Sequence, residues 1–221
     1  MAEDSAGKIA TPRRRTSWKQ DPERVRANIL EVARGVFAEH GLSGARIDEI
    51  ATKTETSKRM IYYYFGDKES LYRAVLEDTY AEMRRAEDEL DLDAMPADVA
   101  LRTLAEFTFD HHREATEFVR LVMIENVHGG THIDQSSVIS AHNSSAVRHL
   151  ESIYARGCND GLFRTGLTAL ELHWHISALC FFNVSNRATF SRIFGDELFR
   201  EDAQASLRHH VGESIVRFAA P

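Results

Sequence analysis

Helical periodicity, with no competing strand signal, is the feature that most constrains how this chain can fold. Near the start, Val25, Ile29, Val32 and Val36 recur at intervals of three and four residues, which places them on one face of a helix. The chain has only four prolines among its 221 residues, and none interrupts a strongly periodic run. No alternation of apolar and polar residues lies between hairpin turns. The sequence therefore predicts an all-α fold, with enough hydrophobic residues (43%) for a sizeable core.

Capping residues and glycines divide this pattern into separate helices. Asp21 begins the first helix and Gly41 ends it, Ser57 caps a short third helix, and Asp67 caps a fourth that extends to about Leu90. The second helix, around Ile50, is also short. The remaining predictions are a linker over 91–98 and helices over 97–112, 114–127, 133–160, 168–188 and 202–219.

Charge is distributed unevenly along the chain. Residues 1–68 contain 13 Lys and Arg against 10 Asp and Glu, whereas the remaining residues contain 14 against 24. A basic front on an acidic body is typical of a polyanion-binding head joined to a domain with another task. We expect residues 1–20 to be a disordered basic arm.

The compartment follows from what the sequence lacks. Residues 1–20 contain no apolar stretch of signal-peptide type, and no run approaches the roughly 20 apolar residues that span a bilayer. We therefore expect a cytoplasmic protein with no membrane partner. Two cysteines do not make a disulfide framework, so we interpret Cys158 and Cys180 as buried thiols in a reducing compartment.

The segment TSKRMIYYYFGDKES (56–70) sets three tyrosines beside a Lys-Arg pair. If Ile61 faces the core, Phe65 also points inward, whereas Arg59, Tyr62 and Tyr63 lie on the outer face of the third helix. Two short helices on a longer first helix form a helix-turn-helix unit, whose second helix enters the major groove of DNA. The alternative, ordinary core aromatics beside a solvated charge pair, does not explain the flanking helices.

The same region resembles the N-terminal DNA-binding domain of the TetR family of transcriptional regulators. The resemblance covers residues 25–77 and is carried by GLSGARIDEIATKTETSKRMIYYYFGDKESLYRAVLE. It implies an all-α homodimer, in which a fourth helix joins a three-helix helix-turn-helix domain to a larger helical domain. That larger domain would bind a small molecule and form the dimer. The domains implied are the arm over 1–20, the DNA-binding domain over 21–68 and the effector-binding and dimerisation domain over 69–221.

The DNA-binding prediction combines the outward positions of the third helix with basic residues at neighbouring helix starts. Tyr hydroxyls and Lys ammonium groups suit phosphate oxygens, and Arg suits guanine. The predicted DNA-binding residues are Arg46, Ser57, Lys58, Arg59, Met60, Tyr62, Tyr63 and Lys68.

Three positions depart from the family pattern. Ala45 stands where the family usually has a threonine that caps the second helix, and Arg46 is expected to replace its phosphate contact. The turn reads Thr54-Glu55-Thr56 instead of the common Ala-Gly-Val, which puts a non-glycine residue at a left-handed position. Arg59 replaces a frequent glycine. We therefore expect an operator unlike the family's common ones.

Two C-terminal helices are predicted to form the dimer. The segment 168–190 is apolar on almost all sides, as expected for a helix buried against both its own core and a partner. The last helix has one apolar stripe. A buried central helix of a monomer is the alternative. The predicted interface residues are Trp174, Leu179, Phe182, Leu207, Val211, Ile215 and Phe218.

A small-molecule site is predicted from apolar and polar residues that could line one cavity, although the same residues could be core. The predicted effector-binding residues are Phe107, His111, Phe118, Met123, Glu125, Asn126, Trp174 and Phe181. The body also resembles a TetR subgroup that includes a repressor of nicotinate catabolism. That resemblance implies an aromatic carboxylate, paired with Arg120, Arg148 or a histidine.

No metal and no cofactor is predicted. Among the eleven histidines, only Glu125 and His128 make a local pair on one helix face, and no repeat or cysteine pair reinforces them. No nucleophile elbow, Gly-rich phosphate loop or HExxH motif indicates an enzyme. The sequence predicts a ligand-responsive homodimeric repressor released from a palindromic operator. A constitutive regulator without an effector, or an activator, is the alternative.

Overall fold

The computed structural model describes residues 21–221, apart from the side chains at 140 and 142–146. The predicted arm over 1–20 lies outside the described residues. Within 21–221 the chain is helical and contains no strand, which confirms the all-α prediction. The helices are α1 (Pro22–Gly44), α2 (Ile47–Lys53), α3 (Lys58–Phe65), α4 (Lys68–Asp88), α5 (Ala97–Glu114), α6 (Thr116–Val127), α7 (Thr131–Asp134), α8 (Ser137–Asn159), α9 (Ala169–Ser185), α10 (Arg187–Phe194) and α11 (Glu201–Ala219).

The predicted caps of the head, which we define as α1 to α3 with the first half of α4, are present. The carboxylate of Asp21 accepts a hydrogen bond from the Arg24 amide at 3.1 Å, and that of Asp67 accepts one from Ser70 at 2.7 Å. The hydroxyl of Ser57 accepts one from the Met60 amide at 3.3 Å. Each bond satisfies a backbone N–H that a helix start leaves free, which is why the chain begins helices here.

Two helix predictions in the body were wrong. The helix predicted over 133–160 is two helices, because Ser136 caps a new start by accepting a hydrogen bond from the Ile139 amide at 3.2 Å. The helix predicted over 168–188 ends at Ser185, and a separate helix, α10, begins at Arg187. The predicted capping box of α9 is present, with Thr168 and Glu171 bonded in both directions.

Helix α4 contributes to the apolar core of the head and to a small separate cluster, in which Met83 packs with Phe118 and Val119. Its first half buries Leu71, Val75 and Leu76 in the core of the head, against α1. The core of the body brings together α5, α8, α9 and α11. Helix α4 thus continues without a break from the core of the head to the Met83 cluster.

The two thiols differ in burial, so the cysteine prediction was half wrong. Cys180 is buried, and burial raises the pKa of its thiol to about 12. Cys158 is only half-buried, near the C-terminal end of α8. None of the described helices is long and apolar enough to cross a bilayer.

Candidate nucleic-acid interface and ligand-binding sites

The outer face of α3 is the candidate nucleic-acid interface. Ile61 and Phe65 are buried in the head, while Tyr62 is 45% and Tyr63 is 78% exposed. Tyr64 is half-buried and packs edge-on against Tyr63, with ring centroids 5.3 Å apart. The tyrosine run is therefore divided as the helical geometry predicts. The Tyr62 and Tyr63 hydroxyls lie at the surface and are available to an external partner.

The basic residues around α3 differ in how free they are. Arg59 is exposed, next to Tyr62 and Tyr63 on the outer face. Lys58 forms an ion pair with Asp48 of α2, and the ammonium group of Lys68 donates to the Ala45 carbonyl at 3.2 Å. A phosphate would have to compete with these internal partners, whereas it would meet the Arg59 guanidinium directly.

The start of α4 is less open to an anion than the sequence suggests. The carboxylate of Asp67 already occupies the Ser70 amide, and the same hydrogen bond lowers the pKa of Asp67. An ionised carboxylate at this helix start repels a phosphate. Any phosphate contact of Lys68 must therefore come from its side chain and not from free backbone N–H groups.

The structure shows the consequences of two of the three departures from the family pattern, at the start of α2 and in the turn that follows it. Arg46 is the N-cap residue of α2 and makes no side-chain cap bond, so the missing threonine is not replaced as a cap. Arg46 is exposed. Glu55 has φ 52°, the left-handed conformation that favours glycine. The turn between α2 and α3 is thus strained at one residue.

Glu125, predicted to contact an effector, instead joins the head to the body. It is 1% exposed and accepts hydrogen bonds from the Tyr72 hydroxyl at 2.9 Å and the His132 amide at 3.1 Å. The Nδ1 atom of His132 lies 3.0 Å from the same carboxylate, so the partner on this face is His132 and not His128. Burial, followed by the bond to Glu125, raises the pKa of Tyr72. The carboxylate of Glu125 is thus engaged by Tyr72 and His132, and its role as an effector contact stays a prediction.

An open cleft of about 750 Å³ lies between α6, α9, α10 and the start of α11. Of the eight predicted effector residues, only Met123 lines it. Four arginines and two glutamates do so as well, namely Arg113, Arg120, Arg187, Arg192, Glu114 and Glu201. Arg113 pairs with Glu201 at 3.0 Å. The cleft is therefore electropositive but close to solvent, where salt screens its charges.

Several polar side chains are buried together in the body, and the sequence predicts only one of them as a site residue. Arg84 of α4 is 6% exposed and pairs with Glu87, which is 5% exposed. His112 of α5 is 4% exposed, and its ring lies 5.7 Å from that of Phe118 and 6.1 Å from that of Phe181. His111, Phe118 and Phe181 were predicted; Arg84 and His112 were missed. We call Arg84, Glu87, His111 and His112 the Arg84 centre.

The charges of the Arg84 centre depend on burial. Burial lowers the pKa of His112 to about 4, with further contributions from His111, Arg84 and His173, and it also lowers the pKa of His111. Burial raises the pKa of Glu87, against the opposing effect of Arg84. At neutral pH both imidazoles are uncharged, so Arg84 is the only cation of the centre.

The remaining predicted effector residues lie apart. Asn126 is exposed, Phe107 is half-buried beside His111, and Trp174 is 66% exposed on the outer face of α9. Among the described residues, no three His, Cys, Asp or Glu side chains come together as metal ligands would.

The dimer prediction requires a correction at α11. Val211 and Ile215 are buried in the protomer's own core, where α11 packs on α5 and α9, so they cannot face a partner. Leu207 and Phe218 are half-buried against the same core. In contrast, α9 and α10 expose several large apolar side chains. This set, the α9–α10 face, consists of Leu170, Trp174, Leu179, Phe182, Ile193 and Phe194.

The fold and the exposed third helix define a helix-turn-helix DNA-binding protein with a helical C-terminal domain. A family model described as bacterial regulatory proteins, tetR family, matches residues 29–75, and one described as tetracyclin repressor-like, C-terminal domain, matches residues 98–215. The chain belongs to the TetR family of DNA-binding transcriptional repressors.

Individual relatives agree with this assignment. The HTH-type transcriptional repressor NicS of Pseudomonas putida is 37% identical over 90% of this chain and 93% of its own length. A transcriptional regulator of Streptomyces coelicolor has a similar structure, with TM-score 0.68, 22% identity and coverage of 89% of this chain and 99% of its own. FadR of Bacillus subtilis, in complex with stearoyl-CoA, has TM-score 0.65 at 17% identity, over 86% of this chain and 97% of its own.

Proposed function

We propose that the protein is a cytoplasmic homodimeric repressor that a small molecule releases from a palindromic operator. The observation that carries the proposal is the pairing of an exposed, capped α3 with Arg59, Tyr62 and Tyr63 on its free face. In a helix-turn-helix dimer, two such helices enter successive major grooves about 34–36 Å apart. The eight predicted DNA-binding residues remain the proposed contact set.

The dimer proposal rests on the α9–α10 face. Contiguous apolar side chains of this size rarely remain exposed on a soluble monomer, since each buried Å² of apolar surface contributes about 25 cal/mol. A second copy of the chain is the natural occupant, because a two-fold axis would set α9 against α9 and hold the two heads at a fixed separation. The alternative of a buried central helix in a monomer does not account for Trp174 and Ile193, which are 66% and 70% exposed.

The effector proposal rests on the body. FadR of Bacillus subtilis shares this fold and was crystallised with an acyl-CoA, and we infer that the helical domain of this chain also holds a small molecule. The resemblance of the body to a subgroup that includes a repressor of nicotinate catabolism implies an aromatic carboxylate. Ligand binding that favours a conformer with the wrong head separation lowers operator affinity by linkage.

Operator titration with two head variants tests the DNA-binding proposal. Arg59→Ala should relax base preference at one position of each half-site, whereas Lys68→Ala should weaken binding to all duplexes alike and lower the salt dependence by about one phosphate contact. The measurement is fluorescence anisotropy on the upstream region of the protein's own gene and on single-base variants of it. Equal losses on specific and random duplexes for both variants would refute the assigned roles.

A further inference from the structure

The open cleft between α6, α9, α10 and the start of α11 carries more positive charge than its own carboxylates neutralise. Its volume is about 750 Å³, and the four arginines and two glutamates that line it leave a net charge of +2. Arg113 pairs with Glu201 at 3.0 Å. Within the described residues the other three arginines form no ion pair, and all three are exposed: Arg120, Arg187 and Arg192. Cations that converge on a concave surface attract an anion from solution.

The start of α10 adds to this positive potential. Asn186, the N-cap residue, makes no side-chain cap bond, and the first turn contains no acidic residue. Arg187 is the first residue of the helix, so a cation stands where a negative charge would be the stabilising one. The uncapped N–H groups of this turn are therefore free to donate to an oxyanion that the arginines hold.

Two buried amides hold the walls of the cleft in place. Asn183 of α9 and Gln204 of α11 hydrogen-bond each other in both directions, at 2.9 and 3.0 Å. The Gln204 amide also donates to the Leu198 carbonyl at 2.8 Å. Because these bonds join α9 to α11 and to the segment between α10 and α11, they fix the shape of the cleft before any ligand arrives.

The organic part of a ligand has an apolar surface to lie on. Val119 and Met123 of α6 and Val184 of α9 line the cleft together with the arginines. The guanidinium carbon of Arg187 lies 5.6 Å from the centre of the Phe199 ring, which supports its plane and leaves the N–H groups at its edge. Apolar walls with a few convergent polar groups are the usual form of a small-molecule site.

The charge and the number of donors favour a phosphate over a single carboxylate. A phosphate ester carries about −1.5 to −2 charges at neutral pH and presents three acceptor oxygens. This charge matches the +2 of the cleft, and the three oxygens match arginines that come from both α6 and α10. A carboxylate has one charge and two oxygens in one plane, which a single guanidinium fork satisfies.

We propose that the open cleft binds a phosphorylated small molecule. Its phosphate pairs with Arg120, Arg187 and Arg192, and its organic part lies against Val119 and Met123. The inference goes beyond the proposed function, because it requires neither an operator nor an effector in the core of the body. None of the six residues of the α9–α10 face lines the cleft, so the dimer proposal makes no use of the residues that would bind the phosphate.

The test measures binding of inorganic phosphate and AMP to the full-length chain by titration calorimetry at low salt. Adenosine is the uncharged control for AMP, and citrate supplies several negative charges without a phosphate. We expect one AMP per chain, weaker binding of inorganic phosphate, which lacks the organic part, and no binding of adenosine. Citrate should bind at least about tenfold more weakly than AMP. The affinity for AMP should fall as salt is added, because the cleft is open to solvent.

Three variants locate the site, and melting temperatures check that each is folded. Arg120→Gln/Arg192→Gln removes two exposed, unpaired cations of the cleft and should bind AMP at least about tenfold more weakly. Arg85→Gln/Arg217→Gln lowers the net charge equally at exposed positions outside the cleft and should bind AMP like wild type. Glu114→Gln removes a carboxylate that lines the cleft and should tighten AMP binding about twofold.

Three results would overturn the inference. If neither inorganic phosphate nor AMP binds to wild type at millimolar concentration and low salt, the cleft is not a phosphate site. Equal losses of AMP binding in the two double variants would mean that AMP responds to the net charge of the protein and not to the cleft. Citrate that binds as tightly as AMP would mean that the cleft selects charge and not phosphate. Operator binding, measured without any of these ligands, tests the proposed function separately.

Discussion

The head and the body of this protein bury very different kinds of side chain. In residues 21–68 the buried side chains are apolar, as in a small rigid domain. The nine buried polar or charged residues of the described chain all lie from Thr79 onward, with Arg84, Glu87 and His112 among them. Buried polar groups depend on their hydrogen-bond and ion-pair partners in a way that apolar side chains do not. The difference indicates that apolar packing holds the core of the head, while the core of the body also depends on buried hydrogen bonds and one ion pair.

The largest effect on stability should come from a substitution that removes one charge of the buried Arg84–Glu87 pair and leaves the other unpaired. Arg84→Met removes the partner of Glu87, and breaking a buried ion pair costs about 3–5 kcal/mol, less whatever Glu87 recovers by taking up a proton. Arg84→Met/Glu87→Gln removes both charges, and its free energy of unfolding should lie within about 1 kcal/mol of the wild-type value. Urea unfolding measures both. Equal destabilisation of the two variants would mean that packing, not charge, explains the cost.

The second-largest effect on stability should come from the hydrogen bond between Tyr72 and Glu125, which joins the head to the body. Tyr72→Phe removes the hydrogen bond from the phenol to the buried Glu125 and should cost about 1.5–3 kcal/mol, the range for a bond to a charged group. It should also loosen the coupling of head and body, so that an effector releases DNA less completely. Tyr63→Phe is the control, because that hydroxyl is exposed and its loss should not alter unfolding. A Tyr72→Phe variant as stable as wild type would contradict the bridge.

The pH dependence of stability should also differ between the head and the body. Burial depresses the pKa of His112 from 6.5 to about 4, so the unfolded chain binds more protons than the folded chain between those values. The contribution of neutral, buried His112 to stability is therefore complete above pH 6.5 and is lost as the pH falls toward 4. His111 and His173 contribute in the same direction, because burial lowers their pKa values as well.

His112→Asn should flatten this profile, measured as the difference in melting temperature between pH 7 and pH 5. The first pH lies above the interval between the two pKa values of His112, and the second lies inside it. His40→Asn, at an exposed site on the head, should keep the profile of wild type. A flattened profile in His40→Asn, or an unchanged one in His112→Asn, would place the acid sensitivity outside the body.

The smallest predicted effect concerns the strained turn. Glu55 has φ 52°, and glycine adopts this conformation without strain, so Glu55→Gly should stabilise the head by about 0.5–1 kcal/mol. Lys53→Gly, two residues earlier inside α2, should destabilise by about 1 kcal/mol. Thermal unfolding of the two variants gives the comparison. A loss of stability in Glu55→Gly would show that the turn is not strained.

The head could be predicted from its sequence much more completely than the body. Caps at Asp21, Ser57 and Asp67, the division of the tyrosine run and the left-handed turn all follow from local rules, which act within a few residues. What the head's sequence could not reveal is that Lys68 bonds Ala45, because that contact joins distant segments.

In the body, the apolar stripe of α11 was assigned to a partner, although it packs on α5 and α9. Periodicity identifies a buried face but not what covers it. One signal for the Arg84 centre was available: Arg84 and Glu87 follow Leu76 and Met83 on the buried face of α4, and a charged pair on such a face indicates a buried polar site. The bonding of Glu125 to Tyr72 and His132 needed the folded structure.

The central claim, that two α3 helices of a dimer read DNA, is tested most directly by selecting duplexes from a random library with the purified wild-type protein and sequencing those retained. The account predicts a palindrome whose half-sites are centred about 10 base pairs apart, or a multiple of that spacing, and bound at least about a thousandfold more tightly than random duplex. Selection of no sequence, or of a single half-site without a symmetric mate, would contradict it.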